Sequence, residues 1–233
     1  MSEFVLPAPA TPRVAVSGGG FFPVHRIYCV GLNYADHVRE MGGPPTPPVF
    51  FMKPADAVLP NGAAVPYPPR TRNLHHEIEL VVAIGRAGRA IAPARALEHV
   101  FGYAAGNDLT RRDLQREAKD RGQPWDAAKG FDGSAPVAAI RPAGQGHVTR
   151  GRIWLAVNGQ LRQESDVERM LWDVPHVIAE LSTLFELKAG DLIFTGTPAG
   201  VGPLEPGDRI EAGVEGLEAL RHSITVASEG AAA

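Results

Sequence analysis

The segment His75-His76-Glu77-Ile78-Glu79-Leu80-Val81-Val82 sets two carboxylates two residues apart in a run that becomes apolar immediately afterwards. In a strand, residues two apart share a face. Glu77 and Glu79 would therefore point together, and Ile78 and Leu80 to the opposite side. Carboxylates that close raise each other's pKa unless a cation stands between them, and a divalent metal is the simplest such cation. The other reading is an exposed strand face on which both glutamates meet water. Asp108 follows the apolar run Tyr103-Ala104-Ala105-Gly106-Asn107. It is either a third ligand or a residue favoured by the positive end of a helix dipole. Three carboxylates without cysteine form an all-oxygen set, better suited to Mg²⁺ or Mn²⁺ than to Zn²⁺.

Other residues bring charge and hydrogen bonding. Arg112 and Gln115 lie three apart on one face of the next helix. They offer a cationic fork and an amide, which together suit a carboxylate plus a carbonyl. Ordinary helix-surface polarity is the alternative, since Arg111, Arg116 and Lys119 are neighbours. Lys129, flanked by Ala128 and Gly130, is either snorkelling or held near an anion. His37 and Glu40 also lie three apart. A carboxylate beside imidazole orients the ring for general-base work, although pairs at this spacing are common. Their position adds weight: they precede the loop Gly42-Gly43-Pro44-Pro45-Thr46-Pro47-Pro48, which could close over a site as a lid. The loop Thr195-Gly196-Thr197-Pro198-Ala199-Gly200-Val201-Gly202 lacks the ending of a nucleotide-binding P-loop. It reads as a backbone and hydroxyl platform for a small ligand.

The elements that must position these groups are short. Strands are expected at 27–32, 49–53, 77–84, 103–108, 153–157, 161–163, 191–195, 208–213 and 219–226, with Asn158-Gly159 turning a hairpin. Helices are expected at 33–41, 93–100, 110–121 and 175–187, the third with a capping box between Thr110 and Asp113. Residues 1–25 read as an irregular arm, and 26–233 as the catalytic domain. The chain has 233 residues, 26 Gly and 21 Pro, a turn-rich composition that favours strands over a helix bundle. Without regular βαβ alternation the class is α+β with a β core. Net charge is −3, so no basic footprint for nucleic acid or a membrane surface is present. The lone Cys29 sits in an apolar strand and reads as a small core residue. With no leader and no apolar stretch of membrane-spanning length, a cytoplasmic protein is expected.

Taken in order, these segments resemble the fumarylacetoacetate hydrolase (FAH) superfamily. The likeness runs from Arg26 to Val226 on Gly31-Leu32-Asn33-Tyr34-Ala35-Asp36-His37, Met52-Lys53-Pro54, His76-Glu77-Ile78-Glu79-Leu80, Asp108-Leu109-Thr110, Arg112-Asp113-Leu114-Gln115 and Thr195-Gly196-Thr197-Pro198. Within it the sequence is similar to the bacterial fumarylpyruvate hydrolases of the gentisate pathway. The resemblance implies the FAH fold, a mixed β-sandwich roll with short peripheral helices, and a homodimer. It implies Glu77, Glu79 and Asp108 as metal carboxylates for Mg²⁺ or Mn²⁺, and His37 with Glu40 as the water-activating pair. Lys129 falls beside the substrate keto oxygen, and Arg112, Gln115, Thr197 and Lys53 in substrate binding. The founding hydrolase branch has a fourth acidic ligand near Asn33; Leu32-Asn33 stand there in this chain, so three carboxylates are expected. The implied substrate is a 2,4-diketo acid, with oxaloacetate decarboxylation, general acylpyruvase action, or isomerisation or decarboxylation of a diketo acid as alternatives. Arg72, His25 and Arg26 are candidates for a distal substrate carboxylate with no stronger claim than other surface bases.

Overall fold

The computed structural model describes residues 5–41 and 47–226. The Gly42-Gly43-Pro44-Pro45-Thr46 part of the expected lid loop lies outside the described residues.

The chain opens with a small antiparallel hairpin, β1 (Arg13–Ala15) and β2 (Phe21–Pro23). β3 (Arg26–Gly31), α1 (Ala35–Glu40) and β4 (Val49–Lys53) follow. Next come β5 (Val58–Pro60), β6 (Ala64–Pro66), β7 (Leu74–His76) and β8 (Ile78–Ile84). A 3₁₀ turn at Pro93–His99 leads into β9 (Val100–Asn107), β10 (Thr110–Arg111), α2 (Arg112–Asp120) and α3 (Asp126–Lys129). The second half contains β11 (Ala135–Val137), β12 (Arg141–Pro142), β13 (Arg152–Val157), β14 (Gln160–Asp166) and α4 (Val174–Leu184). It ends with β15 (Asp191–Phe194), β16 (Gly202–Leu204), β17 (Arg209–Val214) and β18 (Leu220–Thr225).

Two large mixed sheets face each other. One runs β4-β3-β15-β8-β9-β11-β5, with β12 beside β9; the other runs β14-β13-β17-β18-β6. β15 lies parallel to β3 and antiparallel to β8. The fold is α+β and sheet-dominated, as the composition predicts.

The larger sheet is buried on both faces, so its central strands read as unbroken apolar runs. All seven residues of β8 are buried. Ile78, Leu80, Val82, Tyr103 and Ala105 pack toward the second sheet, against Ile153, Leu155, Ile210 and Ala212. Val81, Ala83, Ala104, Ile27, Cys29 and Phe194 pack on the opposite side, under Val14, Phe22 and Val24. The segment expected to be an irregular arm thus contributes a hairpin that covers one face of the sheet. Strand alternation assigns Glu79 to that same face, at the end where the apolar cover stops.

Several local expectations change. The helix expected at 93–100 is the 3₁₀ segment Pro93–His99, and Val100 already belongs to β9. Thr110 and Asp113 do not form a capping box. Thr110 belongs to β10, paired with His75 of β7, and its hydroxyl donates to the Asp108 carbonyl at 3.0 Å. Asp113 instead accepts from Thr71 Oγ1 at 2.6 Å and from the Arg72 and Leu114 amides at 2.9 Å each. Glu77 lies between β7 and β8 rather than inside one strand. Its amide is held by the Asn107 side chain at 2.8 Å. The Asn158-Gly159 turn is as expected, both residues having positive φ (52° and 77°) between paired β13 and β14.

Candidate metal centre and active site

β8, the end of β9, α1, α2, α3 and the loop after β15 converge on one cleft. His37, Glu77, Glu79, Asp108, Arg112, Gln115, Lys129 and Thr197 all line it. Glu40 stands directly behind His37. Nine of the ten site residues expected from the sequence thus come together.

Its floor is acidic and buried. One oxygen each from Glu77, Glu79 and Asp108 lies within 4.8 Å of the others, and all three residues are at most 4% exposed. Lys129 Nζ bridges two of them, donating to Glu77 Oε2 at 2.8 Å and Asp108 Oδ2 at 2.7 Å. Arg112 holds the other oxygen of Glu77 and donates to Gln115 Oε1 at 2.5 Å. Burial alone would raise the Glu77 pKa, but the charges of Lys129 and Arg112 outweigh it and hold the group well below the usual carboxylate range. The same two carboxylates keep Lys129 above its ordinary value against the burial that would lower it.

Glu79 is the exception. Among the described residues no cation lies within 4 Å of it, and its recorded partner is the Gly196 amide at 2.7 Å. Burial, followed by repulsion from Asp108 and Glu77, pushes its pKa well above the ordinary value. An all-oxygen donor set that lacks a counter-charge at one member fits a hard divalent cation. The centre can thus hold Mg²⁺ or Mn²⁺, with oxygens of Glu77, Glu79 and Asp108 available as ligands.

Lys53 is the tenth expected residue, and its place is corrected. It is fully buried behind Asp108, 2.8 Å from Oδ1, and also donates to the backbone carbonyls of Leu109 and Lys129. It braces Asp108 as an ion-pair neighbour and does not line the cleft, and Asp108 Oδ1 itself has no hydrogen-bond partner. His25 and Arg26 are likewise occupied elsewhere. Both bind Asp191, the imidazole at 2.8 Å and the guanidinium at 2.8 and 3.1 Å. They are not free for a distal carboxylate.

In the same cleft His37 Nδ1 donates to Glu40 Oε2 at 2.9 Å. A carboxylate can only accept, so the neutral ring keeps Nε2 as its basic atom. The other Glu40 oxygen accepts from the Gly200 amide at 3.0 Å, tying α1 to the glycine-rich loop. That loop therefore serves the protein's own carboxylates: Gly196 binds Glu79 and Gly200 binds Glu40. Both glycines have positive φ (99° and 97°). A Cβ would come within 2.6 Å of Asn33 Cβ at the first and 2.2 Å of the Arg162 carbonyl at the second. Asn33 itself is structural. It donates to the Trp172 and Thr195 carbonyls at 2.9 and 2.7 Å and accepts from the Trp172 amide at 2.7 Å.

Sequence reasoning missed two supports. Gln163 Nε2 donates to Thr197 Oγ1 at 2.8 Å and the Pro198 carbonyl at 2.9 Å. Its Oε1 accepts from the Ile78 amide at 3.1 Å and His76 Nδ1 at 2.9 Å. Because Thr197 Oγ1 accepts, its own hydrogen is free to donate into the cleft. Asn107 uses Oδ1 for the Glu77 amide and Nδ2 for His222 Nε2 at 2.9 Å. His222 is neutral, its pKa lowered to about 4 by burial and then by the charge of His76. Each is a polar residue at a buried strand position, and that was the available signal.

The Fumarylacetoacetate (FAA) hydrolase C-terminal family matches residues 26–225, a span that contains every residue of this site. The chain belongs to the fumarylacetoacetate hydrolase family. It is 46% identical over 200 residues to the mitochondrial oxaloacetate tautomerase FAHD1 of Bos taurus, covering 85% of this chain and 90% of that protein. It is also 46% identical over 177 residues to a fumarylpyruvate hydrolase of Ralstonia sp, covering 76% and 91%. The crystal structure of fumarylpyruvate hydrolase from Pseudomonas aeruginosa in complex with Mn²⁺ and pyruvate has a TM-score of 0.94 at 46% identity, covering 96% and 100% of the two chains. The chain is thus an enzyme of the FAH family with an acidic metal centre. Both hydrolase and tautomerase names occur among its relatives. Among the described residues, no helix is long and apolar enough to cross a membrane.

Proposed function

We propose that this protein hydrolyses the carbon–carbon bond of a 2,4-diketo acid, with fumarylpyruvate as substrate and fumarate and pyruvate as products, in the gentisate pathway. The observation that carries this reading is the buried Glu77–Glu79–Asp108 cluster sharing one cleft with His37, which is paired to Glu40. A Mg²⁺ or Mn²⁺ ion held there supplies Lewis-acid stabilisation of negative charge on the substrate's oxygens. A relative of the same architecture, solved in complex with Mn²⁺ and pyruvate, supports this choice of metal and product.

Each residue then has a task. Arg112, Gln115 and Thr197 bind the pyruvyl end as donors, Gln115 through its Nε2, since its amide oxygen is held by Arg112. His37 Nε2, oriented through Nδ1 by Glu40, takes a proton from water, which attacks the distal keto carbon. The bond between that carbon and the methylene breaks, leaving the acid on one side and the enolate of pyruvate on the other. Lys129 stands where negative charge develops on the enolate oxygen, and a fixed cation in a dry site is the strongest kind of stabilisation available there. A proton on carbon completes pyruvate. The homodimer belongs to this proposal through the family resemblance.

A second reading is action on oxaloacetate as a tautomerase or decarboxylase, favoured by the 46% identity to the oxaloacetate tautomerase. It uses the same centre: decarboxylation would release the same pyruvate enolate, whereas tautomerisation would pass through the enolate of oxaloacetate itself. The two separate on parallel incubations of metal-stripped protein with fumarylpyruvate, acetylpyruvate and oxaloacetate, with and without Mg²⁺, following pyruvate release and enol absorbance. Metal-dependent pyruvate release strongest on fumarylpyruvate supports the hydrolase. Loss of oxaloacetate enol without cleavage of either acylpyruvate overturns it.

A further inference from the structure

α2 presents a stripe of three polar residues to the cleft: Arg112, Gln115 and Lys119, all lining it. Seven residues make 700°, within about 20° of two full turns, so Arg112 and Lys119 share a face about 10 Å apart along the axis. Arg112 marks the metal end, through Glu77. Lys119 marks the other end.

Lys119 differs from the other cations around the centre. Lys129, Lys53 and Arg112 all have carboxylate partners. Among the described residues, no carboxylate lies within 4 Å of the Lys119 ammonium. It is instead seated over the Trp125 ring, 5.0 Å from its centre. Lys119 is exposed by area, yet desolvation around its ammonium, then the like charge of Arg112, lowers its pKa, as expected of a cation short of counter-charge. Trp125 packs on Phe51 with ring centres 5.7 Å apart, and both rings line the cleft between Lys119 and the floor. A planar, conjugated chain fits against such an aromatic wall.

Resting on the diketo-acid reading above, we propose that Lys119, braced on Trp125, binds the second carboxylate of the substrate and so selects long dicarboxylic acylpyruvates. The geometry sets the length. The end carbons of fumarylpyruvate are six bonds of about 1.5 Å apart, roughly 7–8 Å in an extended zigzag, whereas those of oxaloacetate are three bonds and roughly 4 Å apart. With its pyruvyl end at Arg112, the longer acid brings its far carboxylate to the reach of Lys119, and the shorter one stops at the aromatic wall. The ammonium serves as a point charge on a flexible stem, suited to a carboxylate whose exact position varies with the acyl chain.

The test compares Mg²⁺-loaded wild type, Lys119→Met and Lys119→Arg on fumarylpyruvate and acetylpyruvate, which share the pyruvyl end and differ in the far carboxylate. The readout is the ratio of kcat/KM between the two. A charge-assisted hydrogen bond lost from one substrate alone lowers the ratio roughly ten- to a hundredfold in Lys119→Met, carried by KM; Lys119→Arg keeps most of it. An unchanged ratio in Lys119→Met, or an equal loss on both substrates, overturns the assignment. If Lys119→Met does not accumulate folded, Lys119→Gln is read by the same ratio. A wild type that cleaves acetylpyruvate but shows no preference for fumarylpyruvate overturns the Lys119 role alone. A wild type that cleaves neither overturns the proposed function first, and this inference with it.

Discussion

Lys129→Met removes the ammonium that bridges Glu77 and Asp108 while keeping an unbranched chain of similar length. The side chain is 3% exposed, and both ion pairs are shorter than 3 Å. Breaking a buried pair by deleting one partner costs about 3–5 kcal/mol, because the remaining charge is left uncompensated. Here each carboxylate keeps a second cation, Arg112 on Glu77 and Lys53 on Asp108, which places the loss near the lower end, about 3 kcal/mol. For a chain of this size each kcal/mol shifts Tm by roughly 2–4 °C, so the variant should melt roughly 6–12 °C below wild type in EDTA at pH 7.5. Saturating Mg²⁺ should close at least half of that gap, since the ion supplies positive charge to the same oxygens. Acidification should narrow it too. In wild type the depressed Glu77 pKa contributes stability at neutral pH that is lost as pH falls through the folded value. Without Lys129 that contribution shrinks or reverses, so the variant has less to lose. Scanning calorimetry with and without Mg²⁺ reads all of this. A gap in EDTA under 2 °C, or one that Mg²⁺ leaves untouched, would refute the reasoning that Lys129 and a metal ion neutralise one shared acidic cluster.

Four further outcomes follow from the same geometry. His37→Ala should lower hydrolysis of fumarylpyruvate by about 10²–10⁴-fold while Mn²⁺ affinity by calorimetric titration stays near wild type; retained turnover removes His37 as the base. Glu79→Gln should weaken Mn²⁺ binding by more than tenfold, because it deletes the ligand with no other counter-charge, and wild-type affinity would sink the ligand set. Metal-stripped protein should lose stability as pH rises above about 4.3, the unfolded glutamate value. Above that pH the folded state still holds the Glu79 proton that the unfolded chain has released, until pH passes the raised folded pKa; saturating Mg²⁺ should remove the slope, and its persistence under urea titration would argue against Glu79 as a ligand. Gln163→Glu replaces the donor facing Thr197 Oγ1 and the Pro198 carbonyl with an acceptor. It should lower kcat/KM roughly ten- to a hundredfold, and an unchanged value would show that Thr197 needs no such orientation.

The centre was legible in the sequence because its residues sit in short runs whose period is two or three. Glu77 and Glu79 alternate with Ile78 and Leu80, and that alternation survives folding although β7 and β8 break at Glu77. Arg112 with Gln115, and His37 with Glu40, need only helical spacing. What spacing does not carry is long-range pairing. Gln163 reaches Thr197 and Ile78 across 34 and 85 residues of chain, and Lys53 reaches Asp108 because α3 and β4 pack around the carboxylate. A lysine near a motif thus reads as a substrate contact until tertiary structure shows it buried behind the ligand. The false capping box has the same origin. Thr110 and Asp113 have the right spacing, but the β10–β7 pairing takes Thr110 into a strand and the Thr71 turn captures Asp113. The hairpin of residues 13–23 escaped notice because each strand is three residues long and buries only its central side chain.

The measurement that bears most directly on the whole account is fumarylpyruvate turnover by metal-stripped protein titrated with Mn²⁺, with released pyruvate and bound ion quantified in the same samples, alongside Glu79→Gln. The account predicts no activity at the start, activity rising in proportion to bound ion, and a Glu79→Gln curve displaced to higher Mn²⁺. Full pyruvate release from the stripped protein, or a variant curve superimposed on wild type, would contradict it.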